Sequence, residues 1–86
     1  MHTARLTPHQ DAVYRLLCFT GRQTDAQLTA TYQAIRGTRT VDLPEQTDSG
    51  IRTRRKELTT QGLVAAYPVP GLTRTGRRAT QWEVIR

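Results

Sequence analysis

The sequence has few of the residues from which small disulfide-linked or zinc-binding proteins are built. Its 86 residues include one cysteine and five aromatic residues. Cys18 has no CxxC partner and no group of histidines near it in the sequence, which excludes disulfide and zinc frameworks. We therefore expect a reducing compartment, the cytoplasm.

Long apolar segments are absent too. The longest uninterrupted apolar run, at residues 63–67, has five residues, whereas a membrane-spanning helix needs about 20. The first residues lack the basic and then apolar pattern of a leader, so we expect none. The length suits one small domain, which is predicted to span residues 1–86. At this size, the burial of apolar surface barely offsets the loss of chain entropy on folding.

Groups of catalytic residues are equally missing. The seven acidic residues are scattered or lie in capping positions, and neither His2 nor His9 has a partner for metal binding or proton transfer. Ser49-Gly50 does not belong to the GxxxxGK pattern of a phosphate-binding loop. We therefore expect no enzymatic activity, no catalytic residues, no metal and no cofactor.

The net charge of +6 comes from one third of the chain, residues 52–78, where cations far outnumber acids. Residues 1–51 hold five Arg and five acids, and residues 79–86 hold one of each. Residues 52–78 have Glu57 as their single acid and seven cations: Arg52, Arg54, Arg55, Lys56, Arg74, Arg77 and Arg78. Because globular surfaces normally mix both signs, this segregation predicts a polyanionic partner, nucleic acid ahead of an acidic membrane surface.

Three helices are predicted, at about residues 8–20, 25–36 and 48–61. The first begins with Thr7 as N-cap and a capping box completed by Gln10, and the second begins in the same way at Thr24 and Gln27. In both helices apolar residues recur at helical spacing, which predicts buried stripes: Val13, Leu16 and Leu17 in the first, and Leu28, Tyr32 and Ile35 in the second.

The connection between the second and third helices is predicted to be a loop, because Arg36-Gly37 is a signal that ends a helix. This loop would span residues 38–47, which is longer than the turn of a minimal helix-turn-helix. Val41 and Leu43 would either pin the loop to the core or form a short strand.

The third predicted helix has two unlike faces. Thr47 or Asp48 can cap its first turn, and Gly62 can close its C-terminus. At about 100° per residue, Ile51 and Leu58 share one stripe. Hydroxyl groups and one cation lie opposite, flanked by Arg52: Ser49, Thr53, Lys56 and Thr60. A helix with an aliphatic anchor and an exposed face of this kind suits a DNA groove.

After this helix the apolar period changes from about 3.6 to 2 residues, which predicts strands at about residues 63–67 and 80–85. Trp82 and Val84 would share the buried face of the second strand. The connection, residues 68–79, is cationic and rich in hydroxyl groups at its tip and is predicted to form a wing. This order predicts an α+β fold, a three-helix winged helix-turn-helix with a C-terminal two- or three-stranded antiparallel β wing.

Three segments resemble winged helix-turn-helix proteins of the small actinobacterial and actinophage type, over roughly residues 7–86. They are TDAQLTATYQAI, similar to the second helix, SGIRTRRKELTTQGLV, similar to the recognition helix, and TQWEVI, similar to the last strand. Winged-helix regulators share the pattern Ile51-x-x-Arg54-x-x-x-Leu58-x-x-x-Gly62-Leu63-Val64. Many have a core leucine at the Arg55 position, and we expect the Arg55 stem to cover the core while its guanidinium reaches solvent.

The resemblance implies sequence-specific binding of double-stranded DNA, often by a homodimer, in transcription regulation of a phage or bacterium. The predicted DNA contacts lie on the third helix and the wing: Ser49, Arg52, Thr53, Arg54, Lys56, Arg74, Arg77 and Arg78. Alternatively, the same basic face docks an acidic host protein, as a phage-encoded modulator would. RNA binding is a weaker third alternative, because the aromatic residues that could stack on bases are expected in the core.

Overall fold

Helices, an antiparallel sheet and a β-ribbon make up residues 5–73 and 75–85, the part of the chain that the computed structural model describes. In chain order the elements are α1 (Pro8–Thr20), β1 (Gln23–Thr24), α2 (Asp25–Thr38), α3 (Asp48–Thr60), β2 (Val64–Ala66), β3 (Gly71–Leu72), β4 (Arg78–Ala79) and β5 (Gln81–Val84). The sheet has the order β1-β5-β2, and β3 pairs with β4 in a separate ribbon. The fold is α+β, a three-helix winged helix-turn-helix with an antiparallel β wing, as predicted.

Each helix begins at a threonine N-cap. The Thr7 hydroxyl accepts the Gln10 backbone N–H at 3.2 Å, and the Gln10 side chain accepts the Thr7 N–H at 3.0 Å. Thr24 and Gln27 repeat this capping box at the start of α2. Of the two candidate caps of α3, Thr47 holds the position and accepts a backbone N–H of the first turn at 3.0 Å. Both predicted capping boxes are confirmed.

The second helix extends beyond its predicted end. It continues through Gly37 to Thr38, so the Arg36-Gly37 pair does not end it. Instead Arg39 adopts the left-handed conformation, with φ at 58°. The Thr38 hydroxyl donates to the Ile35 carbonyl at 2.6 Å and satisfies a carbonyl of the last turn. A glycine near a helix end costs too little to stop the helix when a later residue can supply the left-handed cap.

The segment from residue 39 to 47 is a loop without a strand. Leu43 is half-buried and packs against the core, while Val41 is 52% exposed. Buried Tyr32 fixes the far end of the loop by donating its hydroxyl hydrogen to the Pro44 carbonyl at 2.6 Å. The loop is therefore pinned to the core by side chains, which decides between the two alternatives left open by the sequence.

The core joins all three helices to the sheet. Its buried apolar residues are Ala12, Val13, Leu16, Leu17, Leu28, Tyr32, Ile51, Leu58 and Val64. Trp82 and Val84 of β5 are partly buried and pack against this cluster. The predicted stripes of the helices are confirmed, with Ile35 only partly buried. Within the described residues, every helix is too short or too polar to cross a bilayer.

The turn that follows α3 directs the chain into the sheet. Gly62 has φ at 78°, a conformation that L side chains rarely adopt. The Gly62 N–H donates to the Thr59 backbone carbonyl, and the Leu63 N–H donates to the Leu58 backbone carbonyl, each at 3.0 Å. These two bonds form a Schellman motif, which ends the helix and starts β2 two residues later.

Strand β1 was not predicted. Gln23 and Thr24 pair with Trp82 and Gln81 on the open side of β5. Two residues are too few to show the alternation that identifies a strand in sequence.

Candidate nucleic-acid interface

The exposed face of α3 is the first component of the candidate interface. Ile51 and Leu58 are completely buried, and they hold the opposite side of the helix against the core. Gly50 lies one turn after the N-cap Thr47. A Cβ at position 50 would lie 3.2 Å from the Thr47 hydroxyl, so glycine allows the close approach. The helix is thus fixed at its start and along its inner face, and its outer face is available to a partner.

Four of the predicted contact residues lie exposed on that outer face: Ser49, Arg52, Thr53 and Lys56. The Thr53 hydroxyl donates to the Ser49 carbonyl at 3.0 Å, which leaves its oxygen free to accept. Within the described residues, neither Arg52 nor Lys56 forms an ion pair. The face therefore offers two long cations without a carboxylate partner, beside hydroxyl groups that can accept or donate.

Arg54 is held differently from Arg52 and Lys56. Its Nε and Nη2 donate to the two carboxylate oxygens of Glu57 at 2.7 and 3.0 Å. The Gln10 side chain of α1 donates to the same carboxylate at 3.0 Å. The hydrogen bond from Gln10, followed by that from Arg54, lowers the pKa of Glu57. The guanidinium of Arg54 is therefore engaged within the molecule, at the edge of the α3 face.

The prediction that the Arg55 guanidinium reaches solvent is wrong, because this side chain is largely buried. Nε and Nη2 donate to the two carboxylate oxygens of Asp25 at 2.8 and 2.7 Å. The guanidinium also stacks on the Trp82 ring, 3.7 Å from its centroid, and the side chain is only 11% exposed. A planar guanidinium can satisfy a carboxylate and an aromatic face together. Arg55 thus joins α2, α3 and β5 and belongs to the framework.

The wing is the second component of the candidate interface. A hydrogen bond from the Thr73 N–H to the Arg77 carbonyl at 2.7 Å closes its tip, and Gly76 makes the turn with φ at 83°. Arg77 and Arg78 are exposed, and Arg78 lies opposite Leu72 in the β3–β4 register. The predicted contact Arg74 lies outside the described residues.

Two framework residues around the site were not found by reasoning from the sequence. Asp25 neutralises Arg55 from 30 positions away, and Gln10 reaches Glu57 from 47 positions away. The sequence indicated only a capping box for Gln10 and counted Asp25 among the scattered or capping acids, and both do lie in the first turn of a helix. A capping position carries no sequence signal for a second partner on another helix, so this pairing required the fold.

These elements define a winged helix-turn-helix domain with exposed cations on its third helix and wing. A solved structure has the same fold: that of "putative transcriptional regulator TA0346" from Thermoplasma acidophilum, with a TM-score of 0.56 and 15% sequence identity. The match covers 90% of this chain and 68% of that chain. No protein-family model and no curated protein matches the sequence.

Proposed function

We propose that the protein binds double-stranded DNA as a transcription regulator of bacterial or phage origin. In this proposal α3 lies in the major groove, and the wing contacts the backbone or the minor groove. The observation that carries the proposal is that Lys56 is exposed on α3 opposite its buried stripe, with exposed Arg52 flanking it, and that neither has an ion-pair partner among the described residues. The likeness in fold to a regulator supports it.

The proposed contacts differ in what they would read. Arg52 can donate two hydrogen bonds to a guanine edge, and Ser49 and Thr53 can contact either bases or flanking phosphates. Lys56 is a point charge suited to phosphate. Arg54 stays in the proposed set at the edge of the α3 face, but it would have to exchange Glu57 for a phosphate, so we expect it to contribute least and do not count it in the salt dependence. Wing contacts by Arg74, Arg77 and Arg78 would be to the backbone or minor groove.

The dimensions of the molecule are compatible with both components meeting one short DNA site. The principal extents are 35 × 34 × 20 Å, and one turn of B-DNA is about 34–36 Å long. One copy would therefore cover about one helical turn.

The internal ion pairs also predict how steeply binding depends on salt. Of the seven cations in residues 52–78, Arg54 and Arg55 are paired with carboxylates of the same chain. The four exposed cations, with Arg74 added, would neutralise about four or five phosphates, for a slope of about −4 in log Kobs against log salt. If all seven cations met phosphate, the slope would be about −6.

The test is a fluorescence-anisotropy titration against duplexes selected from a random pool, at several salt concentrations. Arg52→Ala should weaken the selected duplex by about 1–3 kcal/mol and relax base preference at one position. Lys56→Ala should weaken all duplexes alike and reduce the slope by about 1. Arg5→Ala, which removes an exposed cation ahead of α1, is the matched control and should change binding little. Absence of binding to any duplex at low salt would refute the proposal.

An acidic host protein would have to use the same basic face, so the two functions can be separated with the same variants. If the wild type fails to bind duplexes but captures one acidic protein stoichiometrically after nuclease treatment, and Arg52→Ala abolishes that capture, the partner is a protein.

A further inference from the structure

An apolar groove lies on the side of the molecule formed by α1 and the loop after α2. It has a volume of about 460 Å³. Its apolar lining is Ala12, Leu16, Phe19, Ile35, Val41 and Leu43. Two of these side chains are unusually exposed for their type: Phe19 is 86% exposed and Val41 is 52% exposed. We call this surface, with its lining, the α1 groove.

We propose that the α1 groove is a self-association surface whose occupant is a second copy of this chain, with Phe19 of each copy inserted into the groove of the other. A two-fold dimer requires one patch that is complementary to itself. The α1 groove meets this requirement because a protruding ring and an apolar hollow lie side by side in it.

The charges around the groove favour a second copy over other partners. Its charged residues are Asp11, Arg15 and Asp42, which sum to −1 in a chain of net charge +6. Two copies that met through the basic residues 52–78 would repel each other, whereas this surface carries little net charge. Nucleic acid, an anionic membrane and an acidic protein would all be drawn to the basic surface instead.

The rim can also pair across the two-fold axis. Arg15 is 80% exposed in its ion pair with Asp11, at 3.0 Å, and Asp42 is exposed on the other side of the groove. In a two-fold arrangement, residue i of one copy meets residue j of the other, and the reverse contact follows. A rim with both signs can therefore satisfy itself when two copies meet.

A dimer of standard size would have to bury surface beyond the lining of the groove as well. Such a dimer buries about 800 Å² on each partner, which is roughly one-eighth of the 6020 Å² of this chain. None of the proposed DNA contacts lines the groove, so dimerisation would leave the α3 face free. The self-association rests on the groove alone and does not depend on the proposed function.

Sedimentation equilibrium of the DNA-free protein from low micromolar to millimolar concentration tests the proposal. The mass should rise from 9.7 kDa to twice that value and stop there. Phe19→Ser should raise the dimer dissociation constant by about 100-fold or more, since two fully buried rings are lost per dimer. Val41→Ser, on the other wall of the groove, should weaken the dimer as well.

The matched control is Val69→Ser, which removes an apolar side chain that is 59% exposed outside the groove. It should leave the dissociation constant unchanged. A mass of one chain at all concentrations, or equal weakening by Val69→Ser and Phe19→Ser, would overturn the proposal. Salt separates it from DNA binding: screening of the +6 charge should strengthen the dimer, whereas it weakens protein–DNA contacts.

Discussion

Replacing Arg55 should destabilise the domain more than replacing any exposed arginine. Its two hydrogen bonds to Asp25, at 2.8 and 2.7 Å, are charge-assisted and are worth about 1.5–3 kcal/mol. Its stack on Trp82, at 3.7 Å, adds about 0.5–2 kcal/mol. Arg55→Ala should therefore lower the free energy of unfolding by about 3 kcal/mol. At about 0.1 kcal/mol per residue, that is roughly a third of the stability of a chain of this length.

The measurement is chemical denaturation followed by circular dichroism, with a thermal melt in which the midpoint should fall by about 10–20 °C. The matched control is Arg15→Ala, because Arg15 also pairs with an aspartate but is 80% exposed. Exposed pairs contribute about 0–1 kcal/mol. If Arg55→Ala costs no more than Arg15→Ala, the framework role of Arg55 is refuted. Low protein concentration keeps self-association out of the comparison.

A double-mutant cycle distinguishes the ion pair from simple loss of packing. Asp25→Ala leaves the Arg55 guanidinium without its carboxylate and should cost about 2 kcal/mol. Arg55→Leu leaves Asp25 unpaired in turn, but supplies an apolar side chain next to Trp82. When both groups are removed together no unpaired charge is left, so the double variant should be more stable than the sum of the single changes by about 1.5 kcal/mol. Additivity within about 0.5 kcal/mol would contradict a direct interaction.

Two further predictions follow from the perturbed pKa values. Gln10 and Arg54 lower the pKa of Glu57 below its ordinary 4.5, so its carboxylate stabilises the fold above that pH and the contribution is lost as the pH falls through the lowered value. Unfolding free energies at pH 7 and pH 3 should thus differ less in Glu57→Gln than in the wild type; an equal difference would contradict this. Burial raises the pKa of Tyr32 above 10.0, so its contribution is complete below pH 10 and is lost as the pH rises through the raised value. Tyr32→Phe should lower the free energy of unfolding by about 1–2 kcal/mol at pH 7, and stability should then fall less between pH 7 and pH 10.5 than it does in the wild type. Calorimetry at the two pH values checks both effects. If stability falls by the same amount in the variant, another group is responsible for the alkaline destabilisation.

Features that depend on a few neighbouring residues could be predicted from the sequence. The capping boxes at Thr7 and Thr24 need residues three positions apart, and the burial of Ile51 and Leu58 follows from helical spacing. Gly62 was expected to close α3 because the left-handed conformation that commonly follows the end of a helix favours glycine. All of these signals lie within one or two helical turns, where spacing in sequence determines proximity in space.

Features that depend on tertiary partners could not be predicted. Arg55 lies only about 40° from the Ile51 stripe on a helical wheel, so the sequence indicated that its stem would be partly buried. It could not indicate that Asp25 and Trp82, from two other elements, would meet its guanidinium there. Strand β1 could not be predicted for a related reason. Its two residues form a strand only because they pair with the open side of β5, which the sequence does not show.

The pairing of two cations changes the meaning of the charge imbalance. Counted in sequence, residues 52–78 have a net charge of +6, from seven cations and Glu57. In the structure, Arg54 satisfies Glu57, and Arg55 satisfies an aspartate from outside this segment. Arg52 and Lys56, at neighbouring positions of the same helix, remain exposed because helical rotation turns them away from those carboxylates. The chain therefore uses the cations of residues 52–56 in two ways: Arg54 and Arg55 are held by carboxylates within the molecule, and Arg52 and Lys56 leave charge on its surface. A polyanion that binds α3 should respond to removal of Arg52 or Lys56 directly, and to removal of Arg55 only through the stability of the domain.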